Sequence, residues 1–281
     1  MNIFEEQPEF IQLDPRKNRP RGYGYAVTPD FMQARHQALL DPSLLLGKRV
    51  LDLGSCLAAT GAWCLSNGAS FYQGIEIDDS FIKNSIFCLG KYYSPQFWSI
   101  SKSSIEDFLA NHGEKFDVLI ASGVLHGAGD PLALLASFTT ISELIVIENT
   151  QYKTIFDSRI LSQQTLKAIA SDPRAVEFLE TESYISVGQG NMTVSGNKTI
   201  QFAGFNPSMG AVKFIMDQLG YECNDQPYLK LKKALPSEYA PHKRYALHFR
   251  KDLKMKIRKF GLKSAVEDSQ NILNVVDWKF K

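Results

Sequence analysis

The chain has 281 residues, 44% hydrophobic and 22% charged, with a formal net charge of +1 at pH 7. That balance fits one large globular domain, or one domain carrying an insertion, and excludes a chain that grips nucleic acid or membrane by overall charge. No apolar run reaches membrane-spanning length, the start MNIFEEQPEF is acidic, and Cys56, Cys64, Cys88 and Cys223 are too scattered for a zinc ligand set or a disulfide framework. The chain therefore reads as a cytoplasmic protein with no membrane partner and no metal.

Residues 1–27 are rich in Pro, Arg and Gly and read as an extended arm. Tyr23 and Tyr25 either pack on the domain as part of a surface loop or line a ligand pocket as part of a flap. Thr28-Pro29-Asp30 supplies an N-cap, a first-turn proline and a first-turn acid, so a helix is predicted from Pro29 to about Leu40, ended by Pro42. An apolar β-run follows, Val50 to Leu53, broken at Gly54. A helix from Ala59 to Asn67 stops at Gly68. A second strand, Phe71 to Ile77, delivers Glu76. Strand, small-residue turn and helix in that order form a nucleotide-binding crossover, with the ligand at the carboxyl end of the strand. An acid at the tip of the second strand can accept hydrogen bonds from ribose hydroxyls. The positions after Gly54 read Ser55, Cys56, Leu57 and Ala58, so the G-x-G-x-x-G cradle for a pyrophosphate is missing and a nicotinamide enzyme is disfavoured.

Asp78 and Asp79 precede a helix over roughly Ser80 to Leu89, and a third strand is predicted near Gln96 to Ser101. Ser104 either caps a helix, Ile105–Asn111, or meets the ligand. The fourth strand, Phe116 to Ser122, is almost continuously apolar, as a buried parallel strand should be. Asp130-Pro131 opens a helix to Phe138, and the fifth strand runs from Glu143 to Glu148, with Asn149 and Tyr152 beyond it. The β-α alternation demands a parallel sheet with right-handed crossovers. Residues 151–205 are surplus to that sheet. They hold an expected helix over 163–180 and a hairpin around Val194 to Ile200, and read as a cap over the ligand edge. Asn206-Pro207-Ser208 precedes a helix, Met209 to Leu219, closed by Gly220. Tyr221–Cys223 and Arg244–Arg250 supply the last two strands, the final one antiparallel. The basic tail beyond Arg250 either contacts RNA phosphates or forms a solvated amphipathic helix. Its last stretch, Ile272 to Phe280, could pack back or meet a second subunit, leaving monomer and homodimer both open.

The row Asp52-Leu53-Gly54-Ser55-Cys56-Leu57-Ala58 resembles motif I, D/E-x-G-x-G-x-G, of the class I S-adenosylmethionine (SAM) methyltransferases, with Cys56 and Ala58 where glycines are commonest. The segment Phe116-Asp117-Val118 through His126 to Asp130-Pro131 is similar to the same family's fourth-strand region. The resemblance implies an α/β fold: a seven-stranded, mostly parallel Rossmann-like sheet with helices on both faces, plus an α+β cap after strand five. It divides the chain into an arm and helix (1–46), a SAM-binding core (47–150), a cap (151–205), the rest of the core (206–250) and a basic tail (251–281). It implies SAM as cofactor and S-adenosylhomocysteine (SAH) as product. Cofactor contacts would come from Asp52, Gly54, Ser55, Cys56, Ala58, Glu76, Ile77, Ser104, Ile105 and Ser122. Catalytic roles fall to His126, the first candidate base or else a ring that only bonds the loop backbone, and to Glu148 and Asn149, which either orient an acceptor or are solvent-exposed strand ends; Tyr23, Tyr25 and Tyr152 would touch the acceptor.

The Asn/Asp-Pro-Pro-Tyr/Phe run of enzymes that methylate exocyclic amines of adenine or glutamine is absent, Ser122-Gly123-Val124-Leu125 standing in its place. The expected acceptor is a small molecule, methylated at oxygen or nitrogen. Two alternatives stay open. One is an RNA-modifying methyl or carboxymethyl transferase, since the region around His126 and the Asn206-Pro207-Ser208 helix resemble the bacterial tRNA wobble-uridine carboxymethyltransferase. The other is a SAM-binding protein without turnover.

Overall fold

A computed structural model describes residues 2–14, 27–128, 130–150, 185–194, 198–236, 239 and 244–252. Tyr23, Tyr25, Tyr152, the helix expected over 163–180 and the basic tail beyond Asp252 lie outside the described residues.

The expected arm is folded where it is described. Two short helices, α1 (Ile3–Glu6) and α2 (Glu9–Gln12), bury Ile3, Phe4 and Phe10. Asn2 caps α1 by accepting from the Phe4 N–H. Proline, arginine and glycine do dominate positions 15–26, but the apolar triplet ahead of them finds core to bury in. At roughly 1.5–3 kcal/mol per buried large side chain, that outweighs the arm's poor local propensity. Helix α3 (Pro29–Leu39) begins where expected, with the Thr28 hydroxyl accepting from the Phe31 N–H at 3.1 Å. Pro42 stops it by opening a 3-10 turn, Pro42–Leu44.

The strands β1 (Arg49–Leu53), β2 (Phe71–Glu76), β3 (Trp98–Lys102), β4 (Phe116–Ser122) and β5 (Ser142–Thr150) alternate with helices α4 (Ala59–Ser66), α5 (Asp79–Tyr92), α6 (Ile105–Asn111) and α7 (Pro131–Ile141). Helix α5 runs three residues beyond Leu89, through Gly90, because its apolar face continues to Tyr92, which packs beside Phe10 of α2. Past the cap region come β6 (Ile185–Val194) and β7 (Lys198–Pro207), then α8 (Met209–Gln218), β8 (Tyr221–Asn224), α9 (Gln226–Ala234) and β9 (Arg244–Lys251). Helix α9 was not expected. Tyr228 and Leu231, three residues apart, are buried on one of its faces.

The main sheet has seven strands in the order β3-β2-β1-β4-β5-β9-β8. β1 to β5 pair in parallel, and β9 is antiparallel to both neighbours. The alternating sequence of β9 suits an antiparallel strand but suggests one wet face. Lying between β5 and β8, it buries both faces, Tyr245 through Phe249. β6 and β7 form a separate antiparallel hairpin with longer arms than expected, pairing from Ile185↔Pro207 to Val194↔Lys198.

The strand order reverses between β1 and β4. The carboxyl ends of β1, β2, β4 and β5 therefore bring Gly54, Glu76, Ser122 and Glu148 to one edge, with a crevice at the switch point. Among the described residues, no helix is long and apolar enough to cross a membrane.

Candidate active site

A cavity of about 470 Å³ occupies that crevice. Its floor is the loop after β1. The backbone there takes left-handed φ at alternate residues: Gly54 (+70°), Cys56 (+49°) and Ala58 (+57°). These are the three glycine positions of the motif that the sequence resembles. Glycine takes such φ without strain, whereas a side chain costs about 1 kcal/mol or more at each. Gly54 is further required because a Cβ there would stand 2.9 Å from a Val124 methyl. Cys56 and Ala58 thus keep the glycine shape at an energetic cost, which the surrounding bonds offset. The Gly54 and Ser55 N–H groups both donate to the Ile75 carbonyl at 2.9 Å, and the Cys56 N–H donates to Glu76 Oε2 at 2.8 Å.

Glu76 holds this loop from the tip of β2. Its Oε1 also accepts from the N–H groups of Ile77 and Asp78, at 2.8 and 3.0 Å. A carboxylate has about four acceptor sites, so one remains for a ligand after these three. Asp52, at the end of β1, is buried and accepts from the Tyr72 hydroxyl at 2.8 Å. Burial pushes its pKa up to about 7, against the pull of the Tyr72 hydrogen bond and the Arg35 charge.

The opposite end of the cavity rests on a cluster drawn from five segments of the chain. Glu148 on β5 is fully buried. It receives Arg35 Nε at 3.2 Å and Arg35 Nη2 from α3, the Ser122 hydroxyl from β4 and the Tyr239 hydroxyl; Arg244 Nη1 of β9 lies 3.4 Å away. Burial by itself would raise the Glu148 pKa, but Arg35 and Arg244 hold it well below the usual carboxylate range. Arg35 Nη2 also donates to Ser122 Oγ at 2.7 Å, and Nη1 lies 3.4 Å from His36 Nε2. His36 is buried against Phe4 and Trp63, with Nδ1 2.7 Å from the Met32 carbonyl. Burial and the Arg35 charge hold its pKa down at about 3, so the ring is neutral.

His126 stands at the mouth, in the 3-10 turn Leu125–Gly127 after β4. Its imidazole keeps an exposed edge. Burial of the rest lowers its pKa, with Arg244 adding to the effect and a hydrogen bond to Asn149 opposing it. The neutral, proton-accepting form is thus favoured.

Of the residues singled out in the sequence, Asp52, Gly54, Ser55, Cys56, Glu76, Ser122 and His126 meet on this cavity. The others that are among the described residues do not line it. Ala58 is buried beneath the loop, and Ile77 is exposed. Ser104 accepts from the Asp107 N–H at 3.0 Å as the cap of α6, and Ile105 follows it into the helix. Glu148 and Asn149 are sealed below the surface, Asn149 Nδ2 facing the Tyr245 hydroxyl at 3.4 Å. A catalytic Glu148 would need to reach the reactants; instead it anchors two arginines.

The sequence reading passed over Phe10, Asp14, Val27, Phe31, Met32, Arg35, Thr60 and Arg244, all of which line the cavity. One signal was present. Met32, Arg35, His36 and Leu39 stand at i, i+3, i+4 and i+7, so a basic pair shares the buried face of α3 with two apolar residues.

No protein-family model and no curated protein sequence matches the chain. Solved structures do. The N-terminal domain of EvdMO1 with SAH bound matches at a TM-score of 0.53 and 16% identity, over 90% of this chain and 98% of that one. A Listeria monocytogenes protein assigned as an S-adenosylmethionine-dependent methyltransferase matches at 0.52 and 13%, over 78% and 98%.

The fold is that of the class I SAM-dependent methyltransferases. At this identity the likeness speaks for architecture: the strand order, the antiparallel β9 and the crevice between β1 and β4. Within that methyltransferase fold the crevice wall carries Asp52 and Glu76 at the β1–β2 end and Arg35 and Arg244 at the β5–β9 end.

Proposed function

We propose that this protein is a methyltransferase that binds SAM in the crevice and moves its methyl group to an oxygen or nitrogen of a small molecule. The observation that carries the reading is the loop after β1. It keeps left-handed geometry at 54, 56 and 58 without glycine at two of them, directly between two buried carboxylates. A chain does not need such a loop to hold a sheet together, and strain of this kind is retained where a ligand requires the shape.

When bound, SAM supplies a methyl group activated by its sulfonium charge. Glu76 has one acceptor site for the ribose hydroxyls. Asp52 offers a buried carboxylate to the methionyl ammonium, and the Arg35 guanidinium, which lines the same cavity, supplies the positive charge for the methionyl carboxylate. Phe10, Val27 and Phe31 line the cavity with apolar surface. The protein's task is then alignment, holding the acceptor atom roughly 3 Å from the methyl carbon and in line with the breaking bond. A neutral His126 at the mouth can take the acceptor's proton. The β6–β7 hairpin runs beside the Leu125–Gly127 turn, which supports a role for the cap region in the acceptor wall.

Incubation with methyl-tritiated SAM and a small-molecule extract tests this reading. Enzyme-dependent SAH release with label in the organic or ionic metabolites is the expected result. SAH binding with no release against any extract would leave a cofactor-binding protein in its place, and label confined to RNA would move the acceptor to nucleic acid.

A further inference from the structure

Charge divides the crevice. A sulfonium and an ammonium suit the end with Asp52 and Glu76. The other end has the opposite sign: Arg35 and Arg244 both line it, and both converge on one buried carboxylate, Glu148. Arg35 is tied to Glu148 through two of its nitrogens, touches Ser122 and His36, and is close enough to Asp52 to lower its pKa. It belongs with the cofactor. Arg244 differs. It stands at the start of β9, across from Thr150, its guanidinium approaches Glu148 at 3.4 Å through Nη1, and its charge acts on His126.

We propose that the methyl acceptor is an anion, a small molecule carrying a carboxylate or phosphate group that docks on Arg244 and so presents its nucleophilic atom to His126. This rests on the methyltransferase reading given above. The chemistry is economical. Val27, Phe31 and Met32 give the cavity apolar surface for the acceptor's body, and a guanidinium binds carboxylate or phosphate through paired N–H bonds. One charged contact at the base-bearing turn fixes the direction in which the acceptor enters. A buried Glu148 holds the guanidinium in place without offering its own charge to the cavity surface.

Calorimetric titration of SAH-loaded protein tests the idea, with benzoate and phenyl phosphate as anionic probes and methyl benzoate as the neutral control. The preceding SAH titration separately reports whether the cofactor site exists. Saturable binding of at least one anion is expected, with methyl benzoate at least tenfold weaker. Arg244→Gln should weaken the anion at least tenfold while SAH affinity stays within twofold, and Arg244→Lys should recover part of the loss. Equal binding of the neutral ester, anion binding that survives Arg244→Gln, or no saturable binding of either anion to protein that does bind SAH would each overturn the proposal. Should Arg244→Gln fail to fold, the ester comparison on the unaltered protein still decides it.

Discussion

The loop after β1 and the arginine cluster at the far end of the crevice are built in opposite ways. The loop is seven consecutive residues, Asp52 to Ala58, shaped by backbone geometry and held by one side chain, Glu76. The cluster takes Arg35 from α3, Ser122 from β4, Glu148 from β5, Tyr239, and Arg244 from β9, and is shaped by side-chain charge. Strain in the first is a local cost of about 1 kcal/mol per left-handed side chain. In the second, removing the shared Glu148 strands two arginines without their counter-ion, so its failure is global. The difference separates what each end does. The loop fits a ligand; the cluster first holds the fold's edge together and then lends its charge to the cavity.

Four changes would break or sharpen that contrast. The largest effect is expected from Glu148→Gln, which leaves Arg35 and Arg244 without their shared counter-ion. Breaking a buried pair in this way costs roughly 3–5 kcal/mol, read as a fall in the urea midpoint of unfolding. A loss below 1 kcal/mol would mean that the cluster is not structural. Next, His126→Asn should lower the methyl-transfer rate about 100-fold, the usual scale of general-base loss, with SAH affinity unchanged. A drop in SAH affinity instead would move His126 to the cofactor end.

Asp52→Asn should cost SAH binding about 1.5–3 kcal/mol, the scale of a hydrogen bond to a charged group, by calorimetry at pH 7.5. It also has a stability signature. The Asp52 pKa is raised from 3.8 to about 7 in the folded protein. Between those values the native state holds a proton that the unfolded chain has released. Ligand-free stability therefore falls as pH rises through this window, and the penalty is complete above pH 7. Removing the charge should flatten that slope, so the variant gains melting temperature relative to wild type at pH 8 and not at pH 4. The smallest effect is expected from Cys56→Gly, which relieves one left-handed side chain and should stabilise by about 1 kcal/mol. Destabilisation there would show that the Cys56 side chain packs more than its φ costs.

The same contrast explains what the sequence revealed. Asp52, Gly54, Ser55, Cys56 and Glu76 were legible because strand, turn and next strand are near neighbours in the chain, and their spacing carries the geometry. The parallel core was legible for a similar reason: strands and helices alternate along the chain, and β2, β3 and β4 are each followed by a capped helix. Arg35 and Arg244 stand 209 positions apart, and neither has a local pattern that names the other; they meet through Glu148 of β5, beside which β9 inserts. Glu148 read as either a catalytic group or an exposed strand end, since nothing nearby in sequence announces its burial. Ser104 has a local role that fully uses its hydroxyl, the cap of α6, and so carries no separate ligand signal.

A crystal structure with SAH tests the central claim most directly. The account predicts the adenosyl group over the loop at 54–58, a ribose hydroxyl on the open acceptor site of Glu76, and the ammonium within hydrogen-bond reach of Asp52. SAH bound away from that loop, or lying there with Glu76 turned from the sugar and Asp52 still facing only Tyr72, would contradict it.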